Sequence, residues 1–417
     1  MARWAFLFLA LLLPFPLAAE AAPVSIDGDW LGTILVGPAK LRVDFHVETK
    51  ADRTTAELIS IDQGNVHIPI ASVTRDGDKV MLAVPAARGE YSGVLAPGAK
   101  TMTGTWTQAG QAMPLSLALG ALRPLGVAED DQSLTLGSDT LVGTLAYPGT
   151  SAAPPAVLMI AGSGPTDRNG SSPTLGSLAD SQRLLAYGLA QDGIASLRTD
   201  KRGVGGSAGA LHGENSLRID ILAHDTKAWA KLLMNRTGAK CVWLAGHSEG
   251  SLIAELAAQD NPDICGLVLL AGPGRHLADV LRTQLARLPD DRRKSADEAI
   301  DALAAGHTID RPADDRLFRP SIQPLWISEF ALDPPALLKR LSIPVLIVQG
   351  DADNRIEMED ARLLAAARPD AKLLIVPGMA HELKLMPSGG QAAIGSDPTI
   401  PLAPGVVETI AAFIKAH

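Results

Sequence analysis

LAGHSEGSL, Leu244 to Leu252, is the stretch on which the reading of this chain turns. An apolar run, Cys241–Gly246, enters it, and a segment with helical spacing, Ser251–Gln259, leaves it. His247-Ser248-Glu249 is therefore expected to be a sharp turn from strand to helix. A Gly-x-Ser-x-Gly sequence in that setting is a nucleophile elbow. The flanking Gly246 and Gly250 leave room where side chains would crowd the turn, so that the Ser248 hydroxyl is presented on a strained backbone.

A serine hydroxyl is a weak nucleophile at neutral pH and needs a base, which an acid must orient. On a sheet of this kind the order along the chain is serine, acid, histidine. Of the nine histidines, His46 and His67 belong to a different part of the chain and read as structural or surface residues. His212 and His224 precede the serine, and His247 sits in the elbow itself, where it should point away from the base position. His276 and His307 fall in an insertion, and His417 is the last residue. His381 remains, in a loop just after the apolar strand KLLIVPG. The acid should follow the preceding strand, Pro344–Gln349. Asp351 and Asp353 compete there, and Asp353 is favoured because the reaching acid lies a few residues past the strand. Asp351 is expected to serve the turn or cap a helix. For a tetrahedral oxyanion the expected donors are the backbone N–H of Glu249 and one from the Gly162-Ser163-Gly164-Pro165 loop, where Ser163 fits best. Asp167, Arg168, Asp200 and Arg202 read as a buried ion-pair network holding the loops rather than as a polar substrate site.

Around these residues the rhythm is α/β. From about Ser133 onward, apolar runs such as AVLMIAG, IASLRTD, CGLVLLAG and VLIVQG alternate with helical segments, which predicts a parallel sheet covered on both faces. The alternation breaks at about 275–341, where Ala278–Arg287 and Lys294–Ala305 read as helices and a proline-bearing segment follows. This insertion is expected to form a helical cap over the carboxyl ends of the strands, where open α/β sheets bind ligands. Residues 24–120 have another pattern. LRVDFHVE alternates apolar and polar, and further short strands are separated by turn signals, which predicts a small all-β barrel or sandwich. The stretch around Trp30 resembles that around Trp106, and both tryptophans are expected in its core. No site chemistry is visible in this part.

Composition bounds the rest. The chain has 417 residues, 47% hydrophobic and 20% charged, with a net charge of -9. Two domains suit that length. The acidic balance and the lack of basic blocks argue against nucleic acid and anionic membranes as partners. Arg3, the apolar run Trp4–Leu13 and the small-x-small triplet Ala19-Glu20-Ala21 read as an export signal over residues 1–21. Export to the periplasm or medium is expected, with no membrane span after its removal. Cys241 and Cys265 are too few for a disulfide scaffold or zinc site; export permits a bridge between them, and two buried, reduced thiols are the favoured expectation. No metal or cofactor motif is present, and the oligomeric state is not legible.

Together IAGSGPTDRNG, LRTDKRGVGGS, LAGHSEGSL, VLIVQGDAD and GMAHELK make residues 121–417 resemble an α/β-hydrolase. The mature chain as a whole resembles exported two-domain bacterial esterases with an N-terminal β domain, and its catalytic part is similar to the serine-aminopeptidase-like branch of that superfamily. The resemblance implies hydrolysis of small carboxylic esters through Ser248, Asp353 and His381. A serine peptidase of the same fold is the alternative, and a non-catalytic binding protein is disfavoured because no member of the triad is missing. Serine at position 248 excludes dehalogenase and dienelactone-hydrolase chemistry, which need aspartate and cysteine there.

Overall fold

The computed structural model describes residues 25–37, 39–50, 53–63, 66–120, 127–148, 153–312, 316–398 and 400–417. The expected export signal, residues 1–21, lies outside them. Among the described residues two compact units are present, one within 25–40, 44–58 and 68–120, the other within 41–43, 59–67 and 127–417.

The smaller unit is built on one sheet of nine strands: β1 (Gly28–Val36), β2 (Ala39–Lys50), β3 (Arg53–Ser60), β4 (Val66–Pro69), β5 (Ser72–Asp76), β6 (Lys79–Val84), β7 (Gly89–Leu95), β8 (Thr101–Gln108) and β9 (Gln111–Gly120). Their order is β4-β3-β2-β1-β9-β8-β7-β6-β5. The edge strands β4 and β5 are consecutive in the chain, joined only by Ile70 and Ala71, whose N–H groups bond to Ala56 of β3 and Ala83 of β6. Phe45 of β2 touches Tyr91 of β7 and Trp106 of β8, with ring centroids 5.6 and 5.9 Å apart. Strands lie roughly 4.8 Å apart in a sheet, so rings four strands distant can meet only if the sheet curls on itself. The unit is thus a curled, barrel-like single sheet, and not two stacked sheets. Trp30 and Trp106 are both fully buried, on β1 and β8, which flank β9 in the middle of the sheet. His46 bonds to Asp29 through Nδ1 at 2.6 Å, a structural pairing.

In the larger unit, β10 (Val127–Leu136), β11 (Asp139–Pro148), β12 (Ala156–Ile160), β13 (Ala195–Thr199), β14 (Val242–His247), β15 (Ile264–Leu270), β16 (Val345–Gly350) and β17 (Lys372–Val376) form a second sheet. Its order is β10-β11-β13-β12-β14-β15-β16-β17. β11 runs antiparallel to both its neighbours, and every other pairing is parallel. This is the sheet of an α/β-hydrolase.

Both faces are covered, and the period of two along each strand divides the core. Ala156, Leu158 and Ile160 of β12, with Leu244 of β14 and Ile347 of β16, pack against α2 (Ile219–Thr237), α3 (Glu249–Ala258) and α8 (Met358–Ala367). Val157 and Met159, with Trp243, Ala245, Leu346 and Val348, face α1 (Ser181–Gln191) and the C-terminal helix Val406–Ala416. Strands buried on both faces must be apolar at every position, which is why they stand out in the sequence as unbroken runs.

Between the sixth and seventh strands come α4 (Leu277–Leu285), α5 (Asp290–Ala304), α6 (Gln323–Phe330) and α7 (Pro334–Lys339). The proline-bearing segment is thus largely helical: Pro324 and Pro334 sit in first turns, where the missing N–H costs nothing. Leu281, Ile300, Leu303, Phe318 and Phe330 make a core of their own. Ser328 accepts from Ile219 N–H at the start of α2, and Gln284 donates to Arg355 beyond β16. The insertion therefore lies at the carboxyl end of the sheet.

The expectation of two reduced thiols is overturned. Cys241, just before β14, and Cys265, on β15, form a disulfide with Cα atoms 5.3 Å apart. Adjacent parallel strands bring the two residues to bridging distance, although 24 positions separate them in the chain. Closing a loop of that size restricts the unfolded chain and is worth about 3 kcal/mol. The double variant C241A/C265A should therefore lose about 2–4 kcal/mol of stability, measured by urea unfolding. An unchanged midpoint would show that the bridge contributes nothing to the folded state.

Candidate active site

The elbow is formed as a strained turn. Ser248 has φ 55° and ψ -124°, a region that a side chain rarely enters and that costs of order 1–3 kcal/mol. Surrounding contacts hold it there. Ser248 N–H donates to Leu270 O at 2.9 Å, and Ser251 Oγ donates to Gly246 O at 2.7 Å. Glycine is required on both sides by close approach: a Cβ on Gly246 would lie 2.2 Å from Gly250 O, and one on Gly250 would lie 2.3 Å from Ile160 O. Helix α3 begins at Glu249, so its first N–H groups have no partner within the helix and its positive end faces the turn.

Asp353 and His381 meet from separate loops. Asp353 lies three residues past the end of β16, His381 five past the end of β17, and Asp353 Oδ2 accepts from His381 Nδ1 at 2.8 Å. Both side chains are almost wholly buried, at 1% and 4% exposure. The other oxygen, Oδ1, accepts from the N–H groups of Arg355 and Ile356 at 2.8 and 3.0 Å. Burial is the largest influence on the Asp353 carboxyl and alone would raise its pKa. The charge and hydrogen bond of His381, with those two N–H groups, outweigh burial together and hold it below the usual carboxylate range. Asp351 is exposed and does something else: its Oδ1 accepts from Gly378 N–H at 2.5 Å, pinning the turn after β17.

His247 departs from its expected role. It does not point away from the base position: its ring packs on that of His381, centroids 4.7 Å apart, and Nε2–H donates to His381 O at 2.7 Å. The period of two explains this. His247 shares a strand face with Trp243 and Ala245, and Leu383, two residues past His381, packs into that same layer. Burial, reinforced by His381 alongside, pushes the His247 pKa down to about 4, so it is a neutral donor at working pH.

On the opposite side, the loop after β12 brings Gly162 against the elbow: a Cβ there would lie 3.2 Å from Ser248 Cβ. Gly162 and Glu249 thus approach the serine from two elements. The Glu249 carboxyl is buried and lies 3.5 Å from Lys201 Nζ. Glu329 of the inserted α6 is also buried, and neither carboxyl oxygen has a hydrogen-bond partner among the described residues. Burial, and then the charge of Glu249, push its pKa well above the usual carboxylate range, against the opposing effect of Lys201. Nothing in the sequence singled out Lys201 or Glu329, and His247 was placed in the elbow without its partner, because each matters only through a neighbour distant in the chain.

The charged residues of the surrounding loops pair with one another. Arg168 grips Asp200 through Nη2 at 2.7 Å and Nε at 3.1 Å, and bonds Thr144 at 2.8 Å. Arg202 grips Asp225 at 2.6 and 2.9 Å. Asp167 accepts from the N–H groups of Asn169 and Ser171, both at 2.9 Å. These contacts tie the loops together. Among the described residues, no group of three or more His, Cys, Asp or Glu side chains could hold a metal ion, and no helix is long and apolar enough to cross a membrane.

Fold and elbow together define a serine hydrolase architecture. The sequence model of the serine aminopeptidase S33 family matches residues 177–385, half of the chain, and the chain belongs to that family. It is similar to Esterase EstD of Thermotoga maritima, 27% identical over 255 residues, which are 60% of this chain and 58% of that protein's length. Among solved structures, Est1E from Butyrivibrio proteoclasticus with ferulic acid bound is 18% identical, covers 68% of this chain and 96% of its own, and has a TM-score of 0.45. The Pyrococcus furiosus esterase Pf2001 is 17% identical over 70% of this chain and 91% of its own, with a TM-score of 0.46.

Asp167 offers a pH test of the loop network. Burial, the largest cause, pushes its pKa up to about 7, with the charges of Asp180 and Asp200 adding to it. Between its unfolded value near 4 and that folded value the native state keeps a proton that the unfolded state has lost. Stability contributed there falls as pH rises through the window, by at most about 1.4 kcal/mol per pH unit. D167N removes the titration, so its stability relative to the wild type should rise between pH 5 and pH 8. Parallel melting curves for the two proteins across that range would refute the assignment.

Proposed function

We propose that this protein is a serine carboxylic ester hydrolase that cleaves small, short-chain esters through an acyl-enzyme. The observation that carries this reading is the buried, charge-assisted pair of Asp353 and His381, whose ring packs on His247, the residue before a serine on a strained elbow. Ser248 Oγ attacks the ester carbonyl carbon while its proton passes to His381 Nε2. Asp353 keeps the other ring proton on Nδ1 and stabilises the imidazolium that forms. The carbonyl oxygen becomes an oxyanion that accepts from the N–H groups of Ser163 and Glu249, at the positive end of α3. Collapse breaks the bond to the alkoxide, which takes the proton from His381 and leaves as the alcohol. Water then attacks the acyl-enzyme with His381 again as base, and the carboxylic acid is released.

Ester cleavage is favoured over aminopeptidase action by the state of the acids near the serine. A substrate ammonium would need an uncommitted carboxylate. Glu249 is engaged with Lys201, and burial, then the charge of Glu249, push the Glu329 pKa well above the usual carboxylate range, which disfavours its anion. A preference for soluble substrates is supported by α5, which exposes Asp290, Asp291, Arg292, Arg293 and Lys294 where a lipid-binding lid would present an apolar face. Export is also proposed: the signal-like pattern of residues 1–21 and the Cys241–Cys265 bridge both suit an oxidising compartment.

The test sets chromogenic esters of increasing acyl length beside aminoacyl anilides. Acetate and butyrate esters should be the best substrates, with no jump in rate above the solubility limit. S248A and H381A should lose about 10⁴-fold or more in kcat while remaining folded. D353N should be severe, through the wrong imidazole tautomer, and D351N mild. Faster turnover of the anilides, or a D351N loss exceeding that of D353N, would overturn the substrate class or the acid assignment respectively.

A further inference from the structure

Lys201 stands in the loop after β13, next to Asp200, with its side chain only 13% exposed. Nζ donates to Gly162 O at 2.5 Å and lies 3.5 Å from Glu249 Oε1. These two partners belong to the two arms of the proposed oxyanion hole. The Gly162 carbonyl shares its peptide group with the N–H of Ser163, and Glu249 supplies the other N–H from its own backbone.

Peptide geometry turns the first contact into an orienting one. The chain has no cis peptide bonds among its described residues, and in a planar trans peptide the C=O and N–H point in opposite directions. A cation gripping the Gly162 oxygen on one side sends the Ser163 N–H out on the other. Gly162 is in contact range of the nucleophile, since a Cβ there would lie 3.2 Å from Ser248 Cβ and 3.3 Å from His247 O. No strand or helix covers residues 161–165, Gly164 adopts φ +74°, and the loop's own bonds, from Thr166 Oγ1 to Ser163 O and from Thr166 N–H to Gly164 O, both 2.9 Å, grip the peptides that follow rather than the Gly162–Ser163 peptide. A glycine-rich loop of that kind can rotate its peptide planes at small cost unless an outside group holds them.

We infer that Lys201 is a positioning residue for transition-state stabilisation: one largely buried ammonium ties the peptide that carries the Ser163 donor to the side chain of the residue that carries the Glu249 donor. The two N–H groups are thereby held in register for a single oxyanion. The inference rests on the ester-hydrolase reading, in which Ser248 attacks a carbonyl. Glu329 of α6 neighbours this pair: both its carboxyl oxygens are buried without a hydrogen-bond partner among the described residues.

The experiment compares the full-length wild type with K201M, K201Q and S248A. It measures kcat and KM on p-nitrophenyl butyrate, Ki for an alkyl trifluoromethyl ketone of matching length, and thermal unfolding. The ketone is attacked by the serine to give a tetrahedral adduct, so its affinity reads the oxyanion hole and not ground-state binding. K201M should lower kcat about 10²- to 10³-fold, the scale of one lost oxyanion donor, with KM changed less than about threefold and the ketone weakened in parallel with kcat/KM. K201Q, a neutral donor of similar reach, should fall between. A purely structural lysine would lower the unfolding temperature without that kcat-against-KM split. A folded K201M with wild-type kcat and Ki overturns the inference, and if K201M does not fold, wild-type values for K201Q do so. S248A separates the two readings. An inactive S248A beside an unimpaired Lys201 variant sinks only the positioning role, whereas an active S248A sinks the hydrolase reading beneath it.

Discussion

One backbone conformation organises this molecule: the left-handed turn at Ser248, φ 55°, between β14 and α3. Such a turn is unfavourable alone and persists only where its surroundings leave no alternative. Here they do not. Two glycines permit approaches of less than 2.5 Å from a virtual Cβ to neighbouring backbone. Bonds from Ser248 N–H and Ser251 Oγ fix both ends. The strand before and the helix after are locked by the apolar layers on the two faces of the sheet. The large core is thus what allows a small local strain, and that strain aims one hydroxyl out of the carboxyl end of the sheet.

Charge is distributed around the turn by environment more than by residue type. Three buried carboxyls illustrate this. Asp353 has a histidine and two N–H groups to face, and these overcome burial and keep it anionic. Glu329 has no hydrogen-bond partner among the described residues, so burial pushes its pKa well above the usual carboxylate range. Asp167, with two N–H donors but two aspartates nearby, falls between, near neutrality. The arginines of the adjoining loops are each taken up by aspartates, which holds the loops while leaving little unbalanced charge at the site. Removing one partner of such a buried pair leaves the other uncompensated and costs about 3–5 kcal/mol, so the loops are held firmly though the pairs add little net stability.

Much of this was legible in the amino-acid order. The unbroken apolar runs mark strands buried on both faces, the Gly-x-Ser-x-Gly turn marks the elbow, and the succession of strand ends after it isolates Asp353 and His381. The curl of the β unit was half legible: alternation reveals strands with one buried face, but whether such strands stack as two sheets or roll into one depends on which distant rings meet. The helix at Gln323–Phe330 was hidden by Pro324, a residue that breaks helices in their middle and is tolerated at their start.

By itself the sequence determined the local rules: where strands and helices fall, which serine sits in a turn that forces strain, and which acid and histidine follow it at strand ends. These depend on periodicity and on steric limits that act within a few residues. Tertiary structure alone decided the pairings that join remote segments. Cys241 meets Cys265 because β14 and β15 are parallel neighbours, His247 meets His381 because both face one side of the sheet, and Lys201 reaches Gly162 and Glu249 because three loops converge. Each of these contacts depends on the position of whole strands packed in a common core, and no spacing along the chain encodes that position.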